Sequence, residues 1–74
     1  MTLGQKIKAR RKRLGLTQSE LCKNKFTRNM LSAIERDKAT PSLDSLKYIA
    51  EELSLPISYL VSDDDDMFFY EKRN

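Results

Sequence analysis

The stretch TQSELCKNKFTRNMLSAIERDK, residues 17–38, holds two helix starts ten residues apart. Thr17 and Glu20 have the T-x-x-E spacing in which a hydroxyl caps the first turn and the carboxylate reaches back to the cap N–H, so a helix begins at about Gln18. Asn24, Lys25 and Phe26 break its pattern. Thr27 then offers a second N-cap hydroxyl ahead of Arg28-Asn29-Met30-Leu31-Ser32-Ala33-Ile34-Glu35. Two short helices joined by a tight turn follow. On the second helix, Thr27, Met30, Leu31 and Ile34 gather on one side and Asn29, Ser32, Ala33 and Arg36 on the other. The first side reads as core. The second, with Arg28 and Asn29 in the opening turn, presents a guanidinium, an amide, a hydroxyl and a methyl. Arg can fork onto guanine, Asn onto adenine, and a small apolar group can sit against the thymine methyl. The opening turn is also the end of a recognition helix that usually points at bases. A plain amphipathic helix with a polar outer face could carry the same residues, so the surrounding chain has to decide.

Seventy-four residues make one domain, and a chain of this length buries only about 60% of its unfolded surface. Apolar residues recur at helical spacings, there are two Gly and two Pro, and no long alternation marks a sheet, so an all-α domain is expected. The net charge of +3 hides an asymmetry. Residues 1–38 carry eleven Lys/Arg against three acids, and residues 39–74 carry three against eight. The basic half holds the two-helix stretch, and such a patch attracts a polyanion. No apolar run approaches the ~20 residues of a membrane span and no signal peptide precedes the first helix, so the expectation is a cytoplasmic protein without membrane contact. Cys22 is the lone cysteine and there is no His, leaving neither an internal disulfide nor a thiolate base, and Cys22 reads as a core filler. No nucleophile stands beside a base and no glycine-rich phosphate loop occurs, so neither an enzyme nor a cofactor is expected.

In chain order, Thr2 caps a helix from Leu3 to about Arg13, with Leu3, Ile7 and Leu14 on its apolar stripe and Gly15 as the stop. Its other face carries Lys6, Lys8, Arg10, Arg11, Lys12 and Arg13, read as a cationic surface of which some members meet a DNA backbone. Beyond the two-helix stretch, Lys38-Ala39-Thr40-Pro41 leads to Ser42, the cap of a scaffold helix with Leu43, Leu46, Ile49, Ala50 and Leu53 inward. Leu55-Pro56 opens a last short helix through Leu60 and Val61, with Pro in the first turn.

The blocks G-L-T-Q-S-E-L, T-R-N-M-L-S-A-I-E-R-D-K and P-S-L-D-S-L-K-Y-I-A-E-E-L, taken with their separations, resemble the XRE family of helix-turn-helix regulators, the family of phage repressors and Cro. The likeness spans residues 3–61. It implies a compact five-helix, lambda-repressor-like domain that binds double-stranded operator DNA, usually as a homodimer, and acts as a transcriptional regulator, in most cases a repressor. By position, Arg28, Asn29 and Ala33 match places that face bases, with Ser32 near enough to assist. Gln18 matches a glutamine that touches a phosphate and buttresses the recognition helix; Thr17, Thr27, Arg36, Lys38 and Thr40 are the further expected backbone contacts. Arg11 matches an arginine paired with the glutamate found here as Glu35, and helical phase also sets both on the flanks of their core stripes. The turn between the helices departs from the pattern by being one residue shorter and lacking its glycine. Asp37 and Ser54 stand where Gly is common, and Asp tolerates a left-handed conformation better than most residues do.

Residues 1–62 are thus the expected domain and 63–74 an extension. Ser62-Asp63-Asp64-Asp65-Asp66 reads as the acidic start of a short sixth helix rather than a metal cluster, since no other ligand type is near. Phe68, Phe69 and Tyr70 need covering, either by a dimer interface or by a further regulatory domain. A rival reading makes the chain a protein-interaction module, an antitoxin or adaptor, that holds a protein partner through these aromatics and an exposed Tyr48.

Overall fold

Four of the five helices begin at a hydroxyl that accepts a backbone N–H: Thr2 from Gln5, Thr17 from Glu20, Thr27 from Met30 and Ser42 from Ser45. Each such cap contributes about 1 kcal/mol by satisfying one of the orphan donors of the first turn. The computed structural model describes residues 1–62. Its helices are α1 (Leu3–Arg13), α2 (Gln18–Cys22), α3 (Arg28–Glu35), α4 (Leu43–Leu53) and α5 (Ile57–Val61), with no strand among the described residues. The expected sixth helix and the aromatic trio lie outside that range.

Three helices end alike. Gly15 (φ 76), Asp37 (φ 59) and Ser54 (φ 56) adopt left-handed backbone. In each case the next residue's N–H returns to a carbonyl in the last turn: Leu16 to Arg11, Lys38 to Ala33, and Leu55 to Ala50. These closures satisfy carbonyls that the helix leaves open and turn the chain sharply. Asp37 and Ser54 perform with a side chain what a glycine would do unstrained.

α1 lies across α3, α4 and α5, while α2 packs on α3 and α4 on α5. Ile7, Leu21, Leu31, Ile34, Ile49, Leu53 and Leu60 are sealed from solvent between them. Fully burying such a side chain contributes ~1.5–3 kcal/mol, which is how a short chain stabilises one core. Cys22 is buried in it.

Some inward assignments fail. Met30, expected in the core, is 45% exposed. The buried arc of α3 runs from Ile34 through Leu31 to Glu35, which leaves Met30 roughly 90° off its middle. Leu14 and Leu43 are also exposed, at the end of α1 and the start of α4, where no packed element overhangs them. Pro56 is the cap of α5 and not its first helical residue.

Candidate nucleic-acid interface

The α2–α3 unit is held from behind at three points. At the first, Arg11 Nε and Nη2 donate to the two oxygens of Glu35 at 2.7 and 3.0 Å, Arg11 Nη1 donates to Leu16 O at 2.8 Å, and Gln18 Nε2 donates to Glu35 Oε1 at 3.1 Å. This knot joins α1, α2 and α3. Arg11 and Glu35 are both buried, and the hydrogen-bonded carboxylate raises the already high guanidinium pKa against the opposing cost of burial.

The second point is the turn. Lys23 closes α2 at φ 49, ψ −127, a conformation a glycine takes freely and a lysine does not. α4 steadies this turn: Tyr48 Oη donates to Leu21 O at 2.7 Å, the Tyr48 ring meets Phe26 edge to face at 5.9 Å, and Lys23 pairs with Glu52 at 3.0 Å. Tyr48 is therefore half-buried and occupied inside the protein, not the exposed partner-holding ring of the interaction-module reading.

The third point is the end of α3. Asp37 Oδ1 accepts the Gly4 N–H at 3.0 Å and Oδ2 accepts the Thr2 hydroxyl. α1 has no acid in its own first turn, so Asp37 supplies the carboxylate that its N-terminus favours. A Cβ at Gly4 would come within 2.6 Å of Glu35 O and closer still to Ile34 O, so glycine alone lets α1 rest on the last carbonyls of α3. A glycine in the first turn of an otherwise good helix was the only sequence signal for this approach.

With its back fixed, α3 turns the other side outward. Arg28 and Asn29 are exposed in its first turn, and neither side chain makes a hydrogen bond or ion pair among the described residues. Ser32 and Ala33 follow on the helix, half-buried. Thr17 and Thr27 are exposed with hydroxyls engaged as caps, Arg36 is exposed with Nε on Ser32 O at 3.3 Å, and Lys38 and Thr40 are exposed in the loop beyond. Gln18 is half-buried through its bond to Glu35.

The cationic face expected on α1 is divided. Lys6 is buried and donates to Tyr59 O and Ser62 O at 2.8 Å each; Arg11 is in the knot; Arg10 donates to Leu53 O at 2.9 Å. Long cationic side chains cross apolar surface to reach carbonyls at helix ends, which periodicity within α1 cannot reveal. Lys23 and Lys25 face the acids of α4, with Lys25 3.6 Å from Asp44. That leaves Lys8, Lys12, Arg13, Arg28, Arg36, Lys38 and, on α4, Lys47 as exposed cations with no acid partner among the described residues. Among the described residues no carboxylate, thiol or imidazole cluster could hold a metal, and no helix is long and apolar enough to cross a membrane.

This five-helix arrangement, with a short capped helix presented outward from a two-helix turn, is that of a helix-turn-helix domain. A helix-turn-helix family model matches residues 7–60, and the chain belongs to the XRE-type helix-turn-helix family of DNA-binding regulators. It is 43% identical over 65 residues to the immunity repressor protein of Bacillus phage phi105, a match covering 86% of this chain and 45% of that one. Among solved structures it is similar to Bacillus thuringiensis PlcR in complex with the peptide PapR7 and DNA (TM-score 0.84, 33% identity, 97% of this chain and 27% of that one). It is also similar to the apo competence regulator ComR of Streptococcus vestibularis (TM-score 0.75, 28% identity, 96% of this chain and 26% of that one). The chain thus spans under half the length of the relatives it matches.

Proposed function

We propose that the protein is a sequence-specific transcriptional regulator, a repressor, that inserts α3 into the major groove of double-stranded DNA. Arg28 and Asn29 read bases, with Ser32 and Ala33 shaping the fit to a thymine methyl. Thr17, Gln18, Thr27, Arg36, Lys38 and Thr40 touch the sugar-phosphate backbone and set the register. Two copies act as a homodimer on a palindromic operator with half-sites ~34 Å apart. The observation that carries this reading is the contrast within α3: Glu35 is locked from behind by Arg11 and Gln18, while Arg28 and Asn29 stand exposed without a side-chain partner. The likeness to a phage immunity repressor and to a regulator solved with DNA supports it. Its place of action would be the cytoplasm, where operator DNA is found, and its mode would be binding rather than catalysis.

Selection of bound duplexes from a random pool tests specificity and symmetry together. A palindromic consensus with half-sites one helical turn apart is expected. Strong binding with no enriched sequence would contradict base reading by Arg28 and Asn29.

A further inference from the structure

One side chain on α3 is out of keeping with its neighbours. Met30 stands 45% exposed, outside the core cluster, among groups that hydrate well: Arg28 and Asn29 before it, Ser32 and Arg36 after it. Its backbone is fixed, since its N–H donates to the Thr27 cap hydroxyl at 3.0 Å. At 3.6 residues per turn it lies about 60° around the helix from Ala33, so the two apolar groups adjoin at the edge of the outward face. Helical side chains also lean toward the N-terminus of their helix. That lean carries Met30 over the opening turn, the end of a recognition helix that usually points at bases.

We propose that Met30 is a specificity-determining residue that packs against the 5-methyl group of a thymine beside the base pairs read by Arg28 and Asn29; this rests on the base-reading role of α3. The thymine methyl is the one apolar group that the bases present in the major groove. A thioether chain offers no donor and only a weak acceptor, so it gains little from the edges of the other bases. Against cytosine it would cover an amino donor without pairing it, which is costly. Methionine is unbranched and adaptable, so it follows a methyl without moving the helix. The exposed cations Arg28, Arg36 and Lys38 on the same helix and the loop after it draw a polyanion to this side rather than an apolar protein face.

Deoxyuridine in place of thymine deletes the methyl and keeps the base pairing, so the test is a thymine-by-thymine replacement in the operator selected from a random pool. The unaltered protein should lose affinity about fourfold at a thymine in each half-site, the factor for one buried methyl-sized group. Met30→Ala should abolish that dependence and Met30→Leu should restore most of it. The unfolding temperature should not change in Met30→Ala, because the side chain is outside the core. A methyl dependence attributable to Ala33 should persist in both variants. The proposal is overturned if no thymine loses its methyl dependence in Met30→Ala, if the half-site holds no thymine, or if Met30→Ala weakens operator and random duplexes alike. Should Arg28→Ala and Asn29→Ala still relax base preference in that event, the role of Met30 falls and base reading by α3 stands. A pool without any enriched sequence would sink both.

Discussion

Glu35 takes Arg11 on both of its carboxylate oxygens, and the pair is buried where α1 meets α3. Removing one partner strands the other charge away from water, which typically costs ~3–5 kcal/mol. Arg11→Ala and Glu35→Ala should each lower unfolding stability by that amount. The double variant should cost well under the combined single effects, as a chemical-denaturation cycle would show. Additive losses would mean that the two groups act separately.

Gly4 and Asp37 make a second joint between the same helices, and it depends on closeness rather than charge. Gly4→Ala drives a methyl into the carbonyls of Ile34 and Glu35 and should cost ~1–3 kcal/mol, because backbone on both sides resists the shift. Asp37→Gly would keep the left-handed turn and lose the bonds to Thr2 and Gly4. It should therefore lower the melting temperature less than Gly4→Ala does.

The helix starts were legible because capping is local: Thr2, Thr17, Thr27 and Ser42 each sit three residues before the N–H they accept. Arg11 and Glu35 lie on the flanks of their stripes, but only a family resemblance joined them. Lys6 and Arg10 looked like surface because their acceptors, at Tyr59, Ser62 and Leu53, lie more than forty residues along the chain. Tyr48 was misread for the same reason: its hydroxyl is spent on Leu21 of another helix. Met30 shows the limit of a helical projection, since only the neighbours of α3 decide where its buried arc is centred. That Arg28 and Asn29 stand exposed in the first turn of α3 was legible from the Thr27 cap, whereas the division of the cations around them needed the tertiary fold.

Lys23 holds a strained turn that the domain tolerates because α4 braces it. Such backbone costs ~1–3 kcal/mol for a side-chain-bearing residue. Lys23→Gly removes that strain and also removes an exposed ion pair with Glu52, which solvent screens to a minor contribution. Greater freedom of the unfolded chain takes back a further ~0.4–1 kcal/mol. A net gain of ~0.5–1 kcal/mol in thermal unfolding is expected; a loss would show that the Glu52 contact outweighs the strain.

Burial pushes the Cys22 thiol pKa up, with the Glu35 carboxylate adding to it, and the thiol points its hydrogen at Thr27 O, 3.5 Å away. Because the folded state keeps this proton longer than the unfolded chain, the thiol's contribution is full below the unfolded value of ~8.5. It is lost as the pH rises through the folded value. Stability should fall on the alkaline side, and Cys22→Ala should flatten that fall in urea titrations between neutral and alkaline pH. The folded protein should also react with a thiol reagent only as fast as the helix-turn-helix opens. Rapid labelling under native conditions would place Cys22 at the surface.

In the proposed function the outward first turn of α3 reads bases while the loop beyond it grips the backbone. Affinities of the Arg28→Ala, Asn29→Ala and Lys38→Ala variants, measured on a selected operator and on a random duplex across a salt series, test this most directly. Loss of ~1–3 kcal/mol on the operator with little change on random DNA is predicted for Arg28→Ala and Asn29→Ala. Lys38→Ala should weaken both duplexes alike and reduce the salt slope by about 1. Equal losses on operator and random DNA for the first two variants would contradict the account.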